Sequence, residues 1–76
     1  MNKERRKRIR EAMDLLEQAR DILTECGEEE EEAFDNLPES LQESERGEQM
    51  QEYIETMNEA CENLEDLQGS LEEIAE

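Results

Sequence analysis

Residues 44–76 read SERGEQMQEYIETMNEACENLEDLQGSLEEIAE, and their apolar positions recur every three or four residues without a slip. Written as heptads with Met50 at a, the a row is Met50, Met57, Leu64 and Leu71, and the d row is Tyr53, Ala60, Leu67 and Ile74. Ile54, Cys61 and Ala75 fall at e, so the apolar stripe is wider than a bare coiled-coil seam. The c and f positions carry Glu45, Glu48, Glu52, Glu55, Glu59, Glu62, Asp66, Glu73 and Glu76, interrupted only by Gly69, and the segment has no Lys. At 1.5 Å rise per residue this is a file of negative charges roughly 4.5–6 Å apart along one helix face.

The first half of the chain keeps the same period. Asn2 is placed to cap a helix beginning at Lys3. Ile9, Ala12, Leu16, Ala19, Leu23, Cys26, Ala33 and Leu37 hold one heptad phase, with Glu30 the single break in its a row. Met13, Leu15, Ile22 and Phe34 widen that stripe, while Asp14, Asp21, Glu28 and Asp35 continue the acidic outer face. Gly27 ahead of the run Glu28–Glu32 could end one helix and start another, since Gly favours helix ends and carboxylates favour helix starts. The phase does not slip there, so the spacing predicts one continuous helix to about Asn36. Five consecutive Glu repel at i,i+4 spacing, and as a bare sequence feature such a run is a solvated charge tract.

Asn36-Leu37-Pro38 stops the first helix, because the residue before a proline is pushed out of the α region. The connection Pro38–Glu43 is expected to hold a short turn opened by Ser40 with Glu43 as its capping partner, and Leu41 covering the apolar end. Ser44 is the expected cap of the last helix, with Gly47 in its first turn. The fold expected is all-α: a single domain over 1–76, an antiparallel two-helix hairpin with long helices at about 3–36 and 44–76. Two helices cannot consume so wide a stripe, so a homodimer forming a four-helix bundle is the expected assembly. Its core and dimer residues are Ile9, Leu16, Leu23, Phe34, Met50, Tyr53, Ile54, Met57, Leu64, Leu67, Leu71 and Ile74.

Composition narrows the function. The chain is 33% hydrophobic and 43% charged, with one Pro, three Gly, no Val and no Trp, which argues against sheets. Residues 1–10 hold six Lys/Arg and one Glu, whereas the remaining 66 residues hold two basic and 24 acidic residues, a net of −22. There is no run of 18 apolar residues to span a membrane and no apolar segment behind the basic start to make a signal peptide, so a cytosolic protein is expected. Cys26 and Cys61 then read as reduced core residues; folding about residue 41 leaves them offset by roughly 7 Å along the axis, outside disulfide geometry. The absence of His removes the usual general base and the commonest metal ligand, and two Cys alone cannot build a zinc site. No Gly-rich phosphate cradle or calcium-binding loop is present, and an enzyme, a cofactor or a metal is not expected.

The stretch EEEAFDNLPESLQESERGEQM, residues 30–50, resembles small, acidic, mostly uncharacterised helical proteins of phages and mobile elements in Gram-positive bacteria. The resemblance covers about a quarter of the chain, rests on the words AFDNLPES and SERGE, and implies a mobile-element setting without carrying over an activity or a functional residue.

Two uses of the charge remain. Duplex DNA carries about 0.6 charges per Å of axis. A net −22 over a rod of roughly 50 Å is about 0.4 per Å, which a side-by-side dimer doubles. The first expectation is therefore a DNA-mimicking inhibitor that occupies the basic cleft of a nucleic-acid enzyme, such as a host restriction or CRISPR defence protein. Its contacts would be Glu45, Glu48, Glu52, Glu55, Glu59, Glu62, Asp66 and Glu73, assisted by Asp14, Asp21, Glu25 and Glu28, Glu29, Glu30, Glu31, Glu32. The second is a non-mimic interaction or structural protein that binds through its apolar stripe. The cluster KERRKRIR could contact phosphates directly, but in a hairpin it lies beside the acidic turn Glu72, Glu73 and Glu76, and pairing there is the expectation.

Overall fold

The computed structural model describes residues 1–75 and is helical almost throughout. Helix α1 runs from Lys3 to Asp35, a single turn α2 from Glu39 to Gln42, and α3 from Glu45 to Ala75. The two long helices lie antiparallel as a rod of 58 × 15 × 12 Å. Glu76, expected in the last helix, lies outside the described residues.

Helix α1 starts where the Asn2 side chain accepts a hydrogen bond from the Arg5 amide at 2.8 Å. It continues through Gly27 without a positive φ. It closes with Asn36 and Leu37 amides donating to the Glu32 and Phe34 carbonyls at 3.1 and 3.0 Å. Pro38, with φ fixed at −56°, then turns the chain extended and itself heads α2. Ser40 sits inside that turn and does not open it, because Pro38 already supplies the starting geometry; no side chain caps α2. The Gln42 side-chain amide reaches back to the Phe34 and Asp35 carbonyls at 3.1 and 3.5 Å, adding a second donor to Phe34 and one to Asp35 at the end of α1. Ser44 caps α3 as expected: its hydroxyl accepts from the Gly47 amide at 3.5 Å and donates to the Leu41 carbonyl. Leu41 is 40% exposed and does not cover the hairpin end; the half-buried Leu37 lies there instead.

The seam is rotated from the expected one. Residues with reduced exposure on α3 are Gly47, Met50, Ile54, Met57, Cys61, Leu64, Gln68, Leu71 and Ala75, alternating steps of three and four, with Ala60 beside them. On α1 they are Arg6, Ile9, Met13, Leu16, Arg20, Leu23, Gly27, Glu30 and Phe34, continued by Leu37 just past its end, with the same alternation and with Ala19 beside them. Both helices therefore meet through the a and e rows, and the large residues of the d rows turn outward while the small Ala19 and Ala60 stay half-buried at the seam's margin. Tyr53, Leu67 and Ile74, expected in the core, are 51%, 50% and 49% exposed, and Cys26 is exposed as well. The physical reason is twofold. The e rows contain Gly27 and Gly47, where the neighbouring element approaches, and they contain a polar layer that fixes register. In that layer Gln68 donates to the Met13 carbonyl at 3.2 Å and accepts from Arg20 at 3.4 Å, while Arg20 lies 3.8 Å from Glu65. Cys61 donates to the Arg20 carbonyl at 3.8 Å and sits 3.5 Å from the Thr24 hydroxyl.

The resulting interior is thin. Met50 and Ala75 are the buried hydrophobic residues among those described, and no side chain there is fully enclosed. The chain exposes 5991 Å² for a mass of 9.0 kDa. A compact monomer of that mass exposes about 4,900 Å².

The two buried glycines differ in what an added methyl would meet. At Gly47 it would fall 2.6 Å from the Gln42 carbonyl carbon and 2.7 Å from the Leu41 oxygen, both backbone atoms that cannot swing away. Gly47→Ala is expected to cost about 1–3 kcal/mol and lower the midpoint of thermal unfolding by circular dichroism. At Gly27 the nearest atoms are 3.9–4.0 Å away, an ordinary contact. Gly27→Ala should raise that midpoint, by up to about 1 kcal/mol of stability, because it removes the glycine penalty from a helix interior.

Candidate functional site

Once the seam is fixed, every other row has a side. In an antiparallel helix pair, like heptad positions face each other across the seam, one set on each side. On one side Glu17 and Glu31 of α1 flank Glu65 and Glu72 of α3. Beyond them lie Asp14, Asp21, Glu28 and Asp35 on α1 and Glu48, Glu55 and Glu62 on α3, all exposed. Open grooves on this side are lined by Glu31, Phe34, Asp35, Gln51, Ile54 and Glu55, and by Arg10, Met13, Glu72 and Ala75. Glu25 and Glu32 with Glu45, Glu52, Glu59, Asp66 and Glu73 form the two outer edges.

The opposite side is nearly free of carboxylates. Ala12, Leu15, Ala19, Ile22 and Cys26 of α1 lie beside Tyr53, Ala60, Leu67 and Ile74 of α3, with Thr56, Asn63 and Ser70 at the margin. Leu15 and Ile22 are 64% and 60% exposed. Shallow grooves here are lined by Met1, Arg5, Arg8, Ile9 and Ala12 at one end, and by Glu30, Tyr53, Thr56 and Met57 toward the other. The hairpin is thus a rod with one anionic broad side and one apolar broad side, neutral along its middle between Arg5 and Arg8 at one end and Glu29 and Arg46 toward the other.

Most carboxylates singled out from the sequence fall on the anionic side or its edges. The run Glu28–Glu32 does not act as a block, since 100° per residue spreads it around the helix. Glu28, Glu31 and Glu32 join the anionic side or its edge, Glu29 points to the neutral side, and Glu30 is half-buried in the seam. Glu17, Glu65 and Glu72 were missed although they stand closest to the groove. Their spacings, fourteen residues from Glu17 to Glu31 and seven from Glu65 to Glu72, carry the signal, but only after the seam's phase is known.

Little neutralises this field. Among the described residues, the cation–carboxylate pairs within 4 Å are those of Arg20 with Asp21 at 3.9 Å and with Glu65 at 3.8 Å. Both partners are largely exposed, so each pair contributes at most about 1 kcal/mol. The N-terminal cations lie at the same end as the acidic C-terminal turn, as expected. The contact made is different: Arg10 donates to the Ala75 carbonyl at 2.8 Å, placing a cation on the negative end of the α3 dipole. Its expected pairing with Glu76 falls outside the described residues.

The concavities are open grooves, and the described residues hold no group of three or more His, Cys, Asp or Glu able to bind a metal ion. Both cysteines are free, and no helix is long and apolar enough to cross a membrane among the described residues. What such a surface offers is a field and an apolar face. Compared with known proteins, the chain matches no family model, no curated protein and no solved structure.

Removing the Arg10 contact isolates its role. Arg10→Ala should cost about 1 kcal/mol locally. Amide hydrogen exchange read by mass spectrometry should accelerate over residues 71–75 and stay unchanged at the turn.

Proposed function

We propose that the protein is an acidic DNA mimic that binds and inhibits a nucleic-acid-binding enzyme. The observation that supports this best is the gathering of unneutralised carboxylates on one broad side of a stiff 58 Å rod. The chain's net −17 over that length is about 0.3 charges per Å, against about 0.6 for duplex DNA. A cationic groove meets a one-sided file of anions, held on helices that lose little entropy on docking. The contacts would come from Glu48, Glu55 and Glu62 with Glu17, Glu28 and Glu31 across the groove. In a homodimeric four-helix bundle the density doubles. The resemblance of residues 30–50 suggests the setting: a phage-encoded anti-restriction or anti-CRISPR inhibitor working in the host cytosol.

The test is binding to a panel of purified restriction endonucleases and CRISPR nucleases, followed by fluorescence polarisation. A mimic binds a member with affinity that falls at least about tenfold between 50 and 200 mM salt, and duplex DNA displaces it. Replacing Glu48, Glu55 and Glu62 by Gln weakens binding while helicity is kept. Binding that ignores salt and DNA refutes the proposal.

A second reading has its own observation, the exposure of Leu15, Ile22, Tyr53 and Leu67. A non-mimic helical interaction protein would grip its partner there, with little salt dependence, and would release it on Tyr53→Asp.

A further inference from the structure

We infer that the neutral side of the hairpin is the docking face for a second copy of this chain, applied face to face and antiparallel. The inference specifies the dimer introduced above and is independent of what the anionic side binds.

Charge selects the occupant first. Each copy carries −17, so two copies approach only along a surface from which the carboxylates have been cleared. The neutral side is that surface, and docking there leaves both anionic sides facing outward. Area agrees. The 58 × 15 Å projection of the rod matches the footprint of about 800 Å² per partner in a standard stable interface. It also accounts for most of the roughly 1,100 Å² by which the chain's 5991 Å² exceeds a compact monomer of its mass.

The rows are self-complementary under one axis. Contacts such as Arg20 with Glu65, Thr24 with Cys61, and Gly27 near Met57 place residues 20–21 of α1 level with about 63–65 of α3. A two-fold axis crossing the rod at that level sets Tyr53 on Ile74 and Ala60 on Leu67 between the two α3 helices. The same axis sets Leu15 on Cys26 and Ala19 on Ile22 between the two α1 helices. Large residues thus meet small ones in the middle of both rows, as close interdigitation requires. The axis also brings Arg8 within about one helical turn of Glu29 of the second copy, the one carboxylate that points to this side. A two-fold axis along the rod would instead lay α1 on α3 and leave Glu29 without a cation.

Sedimentation equilibrium and oxidative crosslinking test this together. The wild type should sediment at twice its 9.0 kDa chain mass. An interface of this size has a dissociation constant of about 1 µM or tighter, so a monomer at ~100 µM overturns the inference. Added NaCl should tighten the dimer or leave it unchanged, opposite in sign to binding by the anionic side, so the two ideas fail separately. Leu67→Asp and, separately, Ile22→Asp should lower the sedimenting mass; a dimer unmoved by both overturns the inference. Orientation is read with Leu15→Cys in a Cys61→Ser background, oxidised with diamide. The introduced thiol should crosslink to Cys26 of the second copy, since the two positions are about 16 Å apart within one helix and cannot bridge intramolecularly. The Cys61→Ser protein alone should stay uncrosslinked. Equal crosslinking in both, or in neither, overturns the antiparallel register.

Discussion

The whole molecule depends on a narrow apolar seam holding together two helices that repel each other. From residue 11 onward the net charge is −22, and a row of methionine, leucine and isoleucine contacts, with one Arg20–Gln68 layer and the Arg10–Ala75 contact at the open end, draws α1 and α3 into a pair. Such a seam works only if the carboxylates are kept off the rows beside it on at least one side. This arrangement makes the two broad sides of the rod chemically different. Segregation of charge is thus a condition of folding before it is a device for binding. The polar layer adds little energy but excludes other registers, because a slip would strand the Arg20 guanidinium and the Gln68 amide against apolar neighbours.

The sequence disclosed the elements and concealed their rotation. Two long helices, the Asn2 and Ser44 caps, the stop at Pro38 and the continuity across Gly27 are local statements, made by propensity and by hydrogen bonds within a few residues. The seam's phase is not local. Three adjacent rows were apolar on each helix, and a choice between a/d and a/e depends on what the other helix presents at the same level. Tyr53, Leu67 and Ile74 read as core by hydrophobicity alone, and the seam instead takes Ile54, Gln68 and Ala75, the row that holds the polar layer and the Gly47 approach to the turn. The close approach of Gly47 to Gln42 is a tertiary fact with no periodic signature.

The same limit applied to the acidic surface. That the outer face was anionic could be read directly, since c and f positions face outward for any seam near a. Which carboxylates of α1 and α3 combine into one surface could not, because that needs the seam. The sequence therefore nominated Glu29 and Glu30, which the helix carries to the neutral side and into the seam, and passed over Glu17, Glu65 and Glu72. The second broad side, apolar and almost uncharged, was visible only as an excess of hydrophobic residues with no address.

The buttressing of the turn by Gln42 has a consequence for how the chain closes. The Gln42–Phe34 contact spans eight residues, whereas the Arg10–Ala75 contact spans 65. Between these extremes each successive layer joins residues further apart along the chain, so loop-closure entropy rises steadily from the turn toward the termini. Layers next to the turn are therefore the least costly to close and those at the open mouth the costliest, so thermal opening of the helix pair is expected to start at the basic tip.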